Sequence, residues 1–160
     1  MQPKGRMLRD ENRQFVADLI KDMPLRQDLL IEYLHRIQDA CGHVHADNIC
    51  ALADIMKLSQ VEIYEVASFY DHFDVVKEGA SPPPPLTIRI CTSLSCMLQG
   101  AEQLRAEVSA KLAGAQVRVV PAPCMGGCDC APAVRVGNRE VGHATCEKIA
   151  DLVTQGATTT

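Results

Sequence analysis

Along the first half of the chain, apolar side chains recur three and four residues apart, the spacing of helices that each bury one face. Phe15, Leu19 and Ile20 mark a first helix ending near Pro24, and Leu29, Leu30, Tyr33, Leu34 and Ile37 a second that Gly42 stops. Ile49, Leu52, Ala53 and Met56 mark a third. A fourth opens at Ser59, because Ser59-Gln60-Val61-Glu62 has the form of a capping box in which each side chain satisfies a free N–H of the first turn. Val61, Tyr64, Val66 and Phe69 follow as its apolar positions. Four short helices with short loops predict a small bundle over residues 1–77.

Residues 78–85 read EGASPPPP, and four consecutive prolines cannot continue a helix but favour a stiff extended segment. This stretch predicts a linker. Beyond it, in residues 86–160, the period shortens to two. Leu86 to Ile90 and Val117 to Val120 alternate as strands, Ala133 to Val136 is a third candidate, and Glu140 to His143 a weaker fourth. A helical stretch runs from about Leu98 to Leu112, and Thr145 is a good N-cap for a last helix reaching about Thr154. The expected class is α+β, a helical bundle followed by a thioredoxin-like α/β domain with helices layered on a mixed sheet.

Composition narrows the function. Among 160 residues 47% are apolar, enough for a real core, but only 4% are aromatic and Trp is absent, so that core is mainly aliphatic. The formal charge of −4 argues against a nucleic-acid binder. No run approaches the roughly 20 apolar residues of a membrane span. The first residues, MQPKGRMLRDENRQF, mix charges and lack an apolar signal region, so a cytoplasmic location is expected. Eight cysteines are many for a compartment that keeps thiols reduced, and metal is the leading explanation.

Four of them carry the pattern. Cys91 and Cys96, a C-x₄-C pair, stand at the end of the first strand, and Cys124 and Cys128, a C-x₃-C pair, at the end of the second. If those strands are parallel neighbours joined by the intervening helix, both loops leave the same edge of the sheet. Cys96 is expected just before a helix, where free N–H groups face its sulfur. Ser93, Ser95, Gly126 and Gly127 offer donors or close backbone approach, and Met97, Leu98, Met125 and Pro132 are expected to shield the site. Donors to sulfur and solvent exposure set the potential of an iron–sulfur cluster. Structural zinc remains open on spacing alone, disulfides would be out of place in a reducing compartment, and the C-x-x-C of a thioredoxin-type thiol pair is absent.

Cys91-Thr92-Ser93-Leu94-Ser95-Cys96, Gly100, and Ala122-Pro123-Cys124-Met125-Gly126-Gly127-Cys128-Asp129-Cys130-Ala131-Pro132 together resemble the thioredoxin-like [2Fe–2S] family. That family includes the 24-kDa-type subunit of respiratory complex I and its relatives in NAD-reducing hydrogenases and formate dehydrogenases. Ile37-Gln38, Gly42-His43-Val44 and Phe69 to Phe73 fall where the family has its helical-domain signatures, so the resemblance extends from about Leu25 to Val153. It implies a [2Fe–2S] cluster held by Cys91, Cys96, Cys124 and Cys128, in an electron-transfer subunit without a catalytic site of its own. Phe69 to Gly79 and Leu94-Ser95-Cys96 most resemble the gamma-type subunit of soluble NAD-dependent formate dehydrogenases. The implied partners are a flavin (FMN) and NAD-binding subunit and a molybdenum-containing, formate-oxidising subunit.

Other residues compete for attention. Cys130 is the nearest rival ligand and is read as an incidental thiol close to the cluster, and Cys146 as a small core-facing residue. Cys41, His43, His45 and Cys50 form a zinc-like cluster on paper, for which packing is the preferred reading. Phe69, Tyr70 and Phe73 suit either internal packing or a docking surface, and His72 is given no redox role.

Overall fold

The computed structural model describes residues 7–155. The chain divides into two compact units between Pro82 and Pro83, within the proline run.

The first unit is built from α1 (Asp10–Ile20), α2 (Leu30–Cys41), α3 (Ala46–Met56) and α4 (Gln60–Phe69). A two-stranded parallel ladder of β1 (Val44–His45) and β2 (Val75–Val76), too short to show a sequence period, ties the α2–α3 link to the segment after α4. Val16, Ile20, Leu34, Ile37, Leu52, Ile63 and Phe73 are buried together, each such side chain contributing about 1.5–3 kcal/mol. Tyr33 is wholly buried, and its hydroxyl donates to the Pro24 carbonyl at 2.6 Å while accepting the Arg26 N–H at 3.0 Å. Gly42 ends α2 in the left-handed conformation, φ 73°, as expected of that glycine.

The capping box on α4 is present in full, with Glu62 N–H donating to Ser59 Oγ and Ser59 N–H to the Glu62 carboxylate. The buried face of α4 is not the expected one. Ile63 and Ala67 point into the core and Val66 packs against it as expected, whereas Val61 and Phe69 are 63% and 79% exposed and Tyr64 is also exposed. Apolar residues lie on nearly every side of this helix, so periodicity alone does not choose a face. In α1, likewise, Val16 is buried and Phe15 exposed.

The second unit is a four-stranded mixed sheet in the order β4-β3-β5-β6, formed by β3 (Leu86–Cys91), β4 (Val117–Ala122), β5 (Val134–Val136) and β6 (Arg139–Val141). β3 runs parallel to β4 and antiparallel to β5. The helix expected over about 98–112 is α6 (Ala101–Lys111), and an additional short helix, α5 (Leu94–Leu98), precedes it, the two separated at Gly100 with φ 83°. A positive φ breaks the helical path, and glycine enters it without strain. α7 (Cys146–Thr154) is capped by Thr145, whose hydroxyl accepts the Lys148 N–H. Ile88 and Ile90 of β3 are buried with Leu104 and Val108 of α6 and Ile149 of α7, and Cys146 packs at the edge of the same core.

Candidate metal centre

β3 and β4 pair in parallel register from Leu86↔Val117 to Cys91↔Ala122. The two cysteine loops therefore start level, at one edge of the sheet. Thr92 fastens the start of the first loop to β4, its N–H reaching the Ala122 carbonyl at 2.9 Å. The residue before β5 supplies the other wall, because the Cys91 N–H donates to the Ala133 carbonyl at 3.1 Å.

Cys91 is the last residue of β3 and Cys96 lies within α5, at 1% and 2% exposure. Cys124 and Cys128 are exposed, with sulfurs 3.7 Å apart. The Cys91 and Cys96 thiols lie close enough to shift each other's ionisation, and Cys91 is within electrostatic range of Cys128. The structure thus brings together all four expected side chains, as two close pairs. Among the described residues no three His, Cys, Asp or Glu side chains close on a single point, so the arrangement is not one tetrahedral nest.

Placing Cys96 before a helix needs correcting. It sits inside the five-residue α5, and its donor is the Ala133 N–H, 3.4 Å from Sγ. Met97 and Leu98 do not shield the site either. With Leu94 they face outward, since a helix this short has one inward position here, which Cys96 takes. Met125 is partly buried against the core, and its N–H reaches the Cys91 sulfur.

The electrostatics are those of sulfurs crowded together. Burial opposes charge on Cys91, but the Ser93 N–H, the Cys96 thiol, the Ser93 hydroxyl and the Met125 N–H outweigh it and hold its pKa below the usual thiol range. Cys96 is pushed up, first by burial and then by Cys91, against the Ala133 N–H. Cys128 is pushed up by Cys124, with the Ser95 hydroxyl acting the other way. A cation that binds thiolates relieves this mutual repulsion.

Cys130 follows Cys128 by two residues, but its sulfur turns to the Gly127 carbonyl, 3.5 Å away. The other paper cluster separates into different partners. Cys41 accepts from Asn48 Nδ2 at 3.7 Å and Cys50 from Gln60 Nε2 at 3.3 Å, while His45 caps α3 by accepting the Asp47 N–H on Nδ1. Sequence reasoning missed Ala133, whose contribution is a backbone N–H and leaves no side-chain signal beyond its place after Ala131-Pro132.

Helices around a mixed sheet, with four thiols at one edge of its parallel strands, define a thiol-rich α+β protein. A family profile, thioredoxin-like [2Fe-2S] ferredoxin, matches residues 16–157, and the chain belongs to that family. It is 26% identical over 148 residues to the NADP-reducing hydrogenase subunit HndA of Solidesulfovibrio fructosivorans, covering 88% of this chain and 84% of that one. It is 27% identical over 139 residues to an NADH-quinone oxidoreductase subunit of Aquifex aeolicus, covering 82% and 84%. In fold it matches a chain of a crystallised NAD+-reducing [NiFe]-hydrogenase, with a TM-score of 0.62 and 24% identity over 79% of this chain. The match spans 22% of that longer chain.

The family's cofactor is a [2Fe–2S] cluster. The donor set here fits it: two sulfur pairs can serve two irons, with Ser93, Met125 and Ala133 N–H groups already aimed at the buried pair. Among the described residues, no helix is long and apolar enough to cross a membrane.

Proposed function

We propose that this chain is an electron-transfer subunit of an NAD-linked oxidoreductase complex, with Cys91, Cys96, Cys124 and Cys128 as the ligands of its [2Fe–2S] cluster. The observation that carries the reading is the convergence of these thiols at one edge of β3 and β4. When bound, the cluster takes up and releases one electron at a time. The chain's own residues bury one sulfur pair, leave the other open, and supply N–H and hydroxyl donors that favour added negative charge on sulfur. The electron partner in this reading is a neighbouring flavin (FMN) subunit that also binds NAD.

The finer assignment is the gamma-type subunit of a molybdenum-containing formate dehydrogenase, for which the segments Phe69 to Gly79 and Leu94 to Cys96 speak. The hydrogenase and quinone-oxidoreductase relatives favour an equivalent position in one of those complexes as the second reading.

Anaerobically purified protein should be brown, hold iron and acid-labile sulfide in equal amounts, and give an electron paramagnetic resonance (EPR) signal on reduction. Colourless protein with stoichiometric zinc would instead indicate a zinc-stabilised scaffold and overturn the cluster reading. Native co-purification separates the parent complexes. A flavin subunit with a molybdenum subunit supports the formate assignment, and a hydrogenase or quinone-linked set rejects it.

A further inference from the structure

Cys128 and Cys130 belong to one three-residue 3-10 turn. At three residues per turn, side chains two positions apart leave the axis about 240° from each other. Only one of the two can face the other three sulfurs, and Cys128 does so, beside Cys124.

What holds the turn in this rotation lies outside it, in the β6–α7 connection. A Cβ on Gly142 would stand 2.6 Å from Cys130 Sγ and 2.7 Å from Cys130 Cβ, closer than side-chain carbons approach. Gly142 is not in the left-handed region, so what requires glycine here is space for Cys130. Gly127 closes the other side, where a Cβ would meet the same sulfur at 3.2 Å. The next residue, His143, has φ 44°, a conformation that residues with side chains seldom adopt. Its N–H donates to the Cys130 carbonyl at 2.6 Å, and Ala144 N–H to the Pro132 carbonyl at 3.0 Å. Lys148 Nζ reaches the His143 carbonyl at 2.9 Å. A strained turn kept by three hydrogen bonds is a specified feature of the fold.

We propose that Gly142 is a positioning residue for cluster ligation: by seating the Cys130 thiol against the β6–α7 turn, it directs Cys128, and not Cys130, to the other three sulfurs. The proposal rests on the ligand reading given above and explains how a C-x-C pair yields a single ligand.

The test uses the full chain with its cluster, purified anaerobically as wild type, Gly142→Ala, Cys130→Gly, and the double variant. Three readouts are compared: visible circular dichroism, EPR of the reduced cluster, and alkylation of Cys130 by iodoacetamide followed by mass spectrometry. Overfilling the seat should alter the spectra of Gly142→Ala and speed Cys130 alkylation at least about fivefold. Removing the Cys130 side chain makes room for the new methyl, so the double variant should regain the wild-type spectra. Unchanged spectra and alkylation in Gly142→Ala overturn the proposal. So does a double variant that keeps the altered spectra, since the effect then does not pass through Cys130. If Gly142→Ala fails to fold, a double variant that folds with wild-type spectra supports the proposal, and one that also fails overturns it. The ligand reading is judged separately by Cys128→Ser, which must lose the wild-type cluster spectrum.

Discussion

The backbone N–H of Ala133 points at Cys96 Sγ from 3.4 Å, joining two residues 37 positions apart. The residue that leads into β5 thereby contributes to the candidate centre through its backbone alone. Cys96 has a donor that no side-chain change removes, whereas Cys128 has the Ser95 hydroxyl, which a substitution can delete.

Ser95→Ala should lower the reduction potential. A hydroxyl donating to sulfur stabilises the more negative, reduced form, so its loss favours oxidation. One hydrogen bond corresponds to a shift of about 20–60 mV. Ser95→Thr should remain near wild type. EPR-monitored redox titration measures both, and equal potentials in the two variants would remove Ser95 from this role.

Cysteine-to-serine changes at positions 91, 96, 124 and 128 should each disrupt the cluster, while Cys130→Ser should leave its visible spectrum largely intact. The seat of Cys130 beside Gly127 and Gly142 is the reason for the contrast. Iron content and absorbance of the five variants decide it, and cluster loss at Cys130 with retention at Cys128 would reverse the assignment.

The two faces of α4 should respond unequally. Ile63→Ala removes a wholly buried side chain and should cost about 2–5 kcal/mol. Val61→Ala, on the exposed side of the same helix, should stay within about 0.5 kcal/mol. Urea denaturation of the two variants is the measurement, and similar losses would mean that the helix is rotated.

The α4 cap carries a pH signature. The Ser59 hydroxyl and N–H both donate to the Glu62 carboxylate and hold its pKa below the usual carboxylate value. A depressed folded-state pKa contributes stability above the unfolded pKa and loses it as pH falls through the folded one. Wild type should therefore melt above Glu62→Ala near neutral pH, with the gap narrowing below about pH 4. Melting curves across that range report it, and a gap independent of pH would assign the effect to helix propensity.

The parallel approach of Cys91 and Cys124 was legible because alternation marks β3 and β4 and the cysteines stand at their ends. The helices of the first unit were legible for the same kind of reason, with Ser59 and Gly42 marking boundaries by their own chemistry. What stayed hidden depends on tertiary packing. Neither Ile63 nor Val61 announces which side of an apolar helix turns inward. Leu98 reads as a shield until a five-residue helix with Cys96 at its inward position leaves it 77% exposed. The fate of Cys130 depends on a missing side chain at Gly142, in a segment whose weak alternation marks a strand but not what packs against it.

The burial of Cys91 and Cys96 beside the exposed Cys124 and Cys128 gives the centre a direction. In the isolated chain, a chelator or an oxidant meets the exposed sulfur pair first, while Cys91 and Cys96 are buried. Damage thus begins at the rim, and reloading of iron into an emptied chain must enter through the same opening. A protein that covers this rim would protect the metal from being stripped as well as exchange electrons with it.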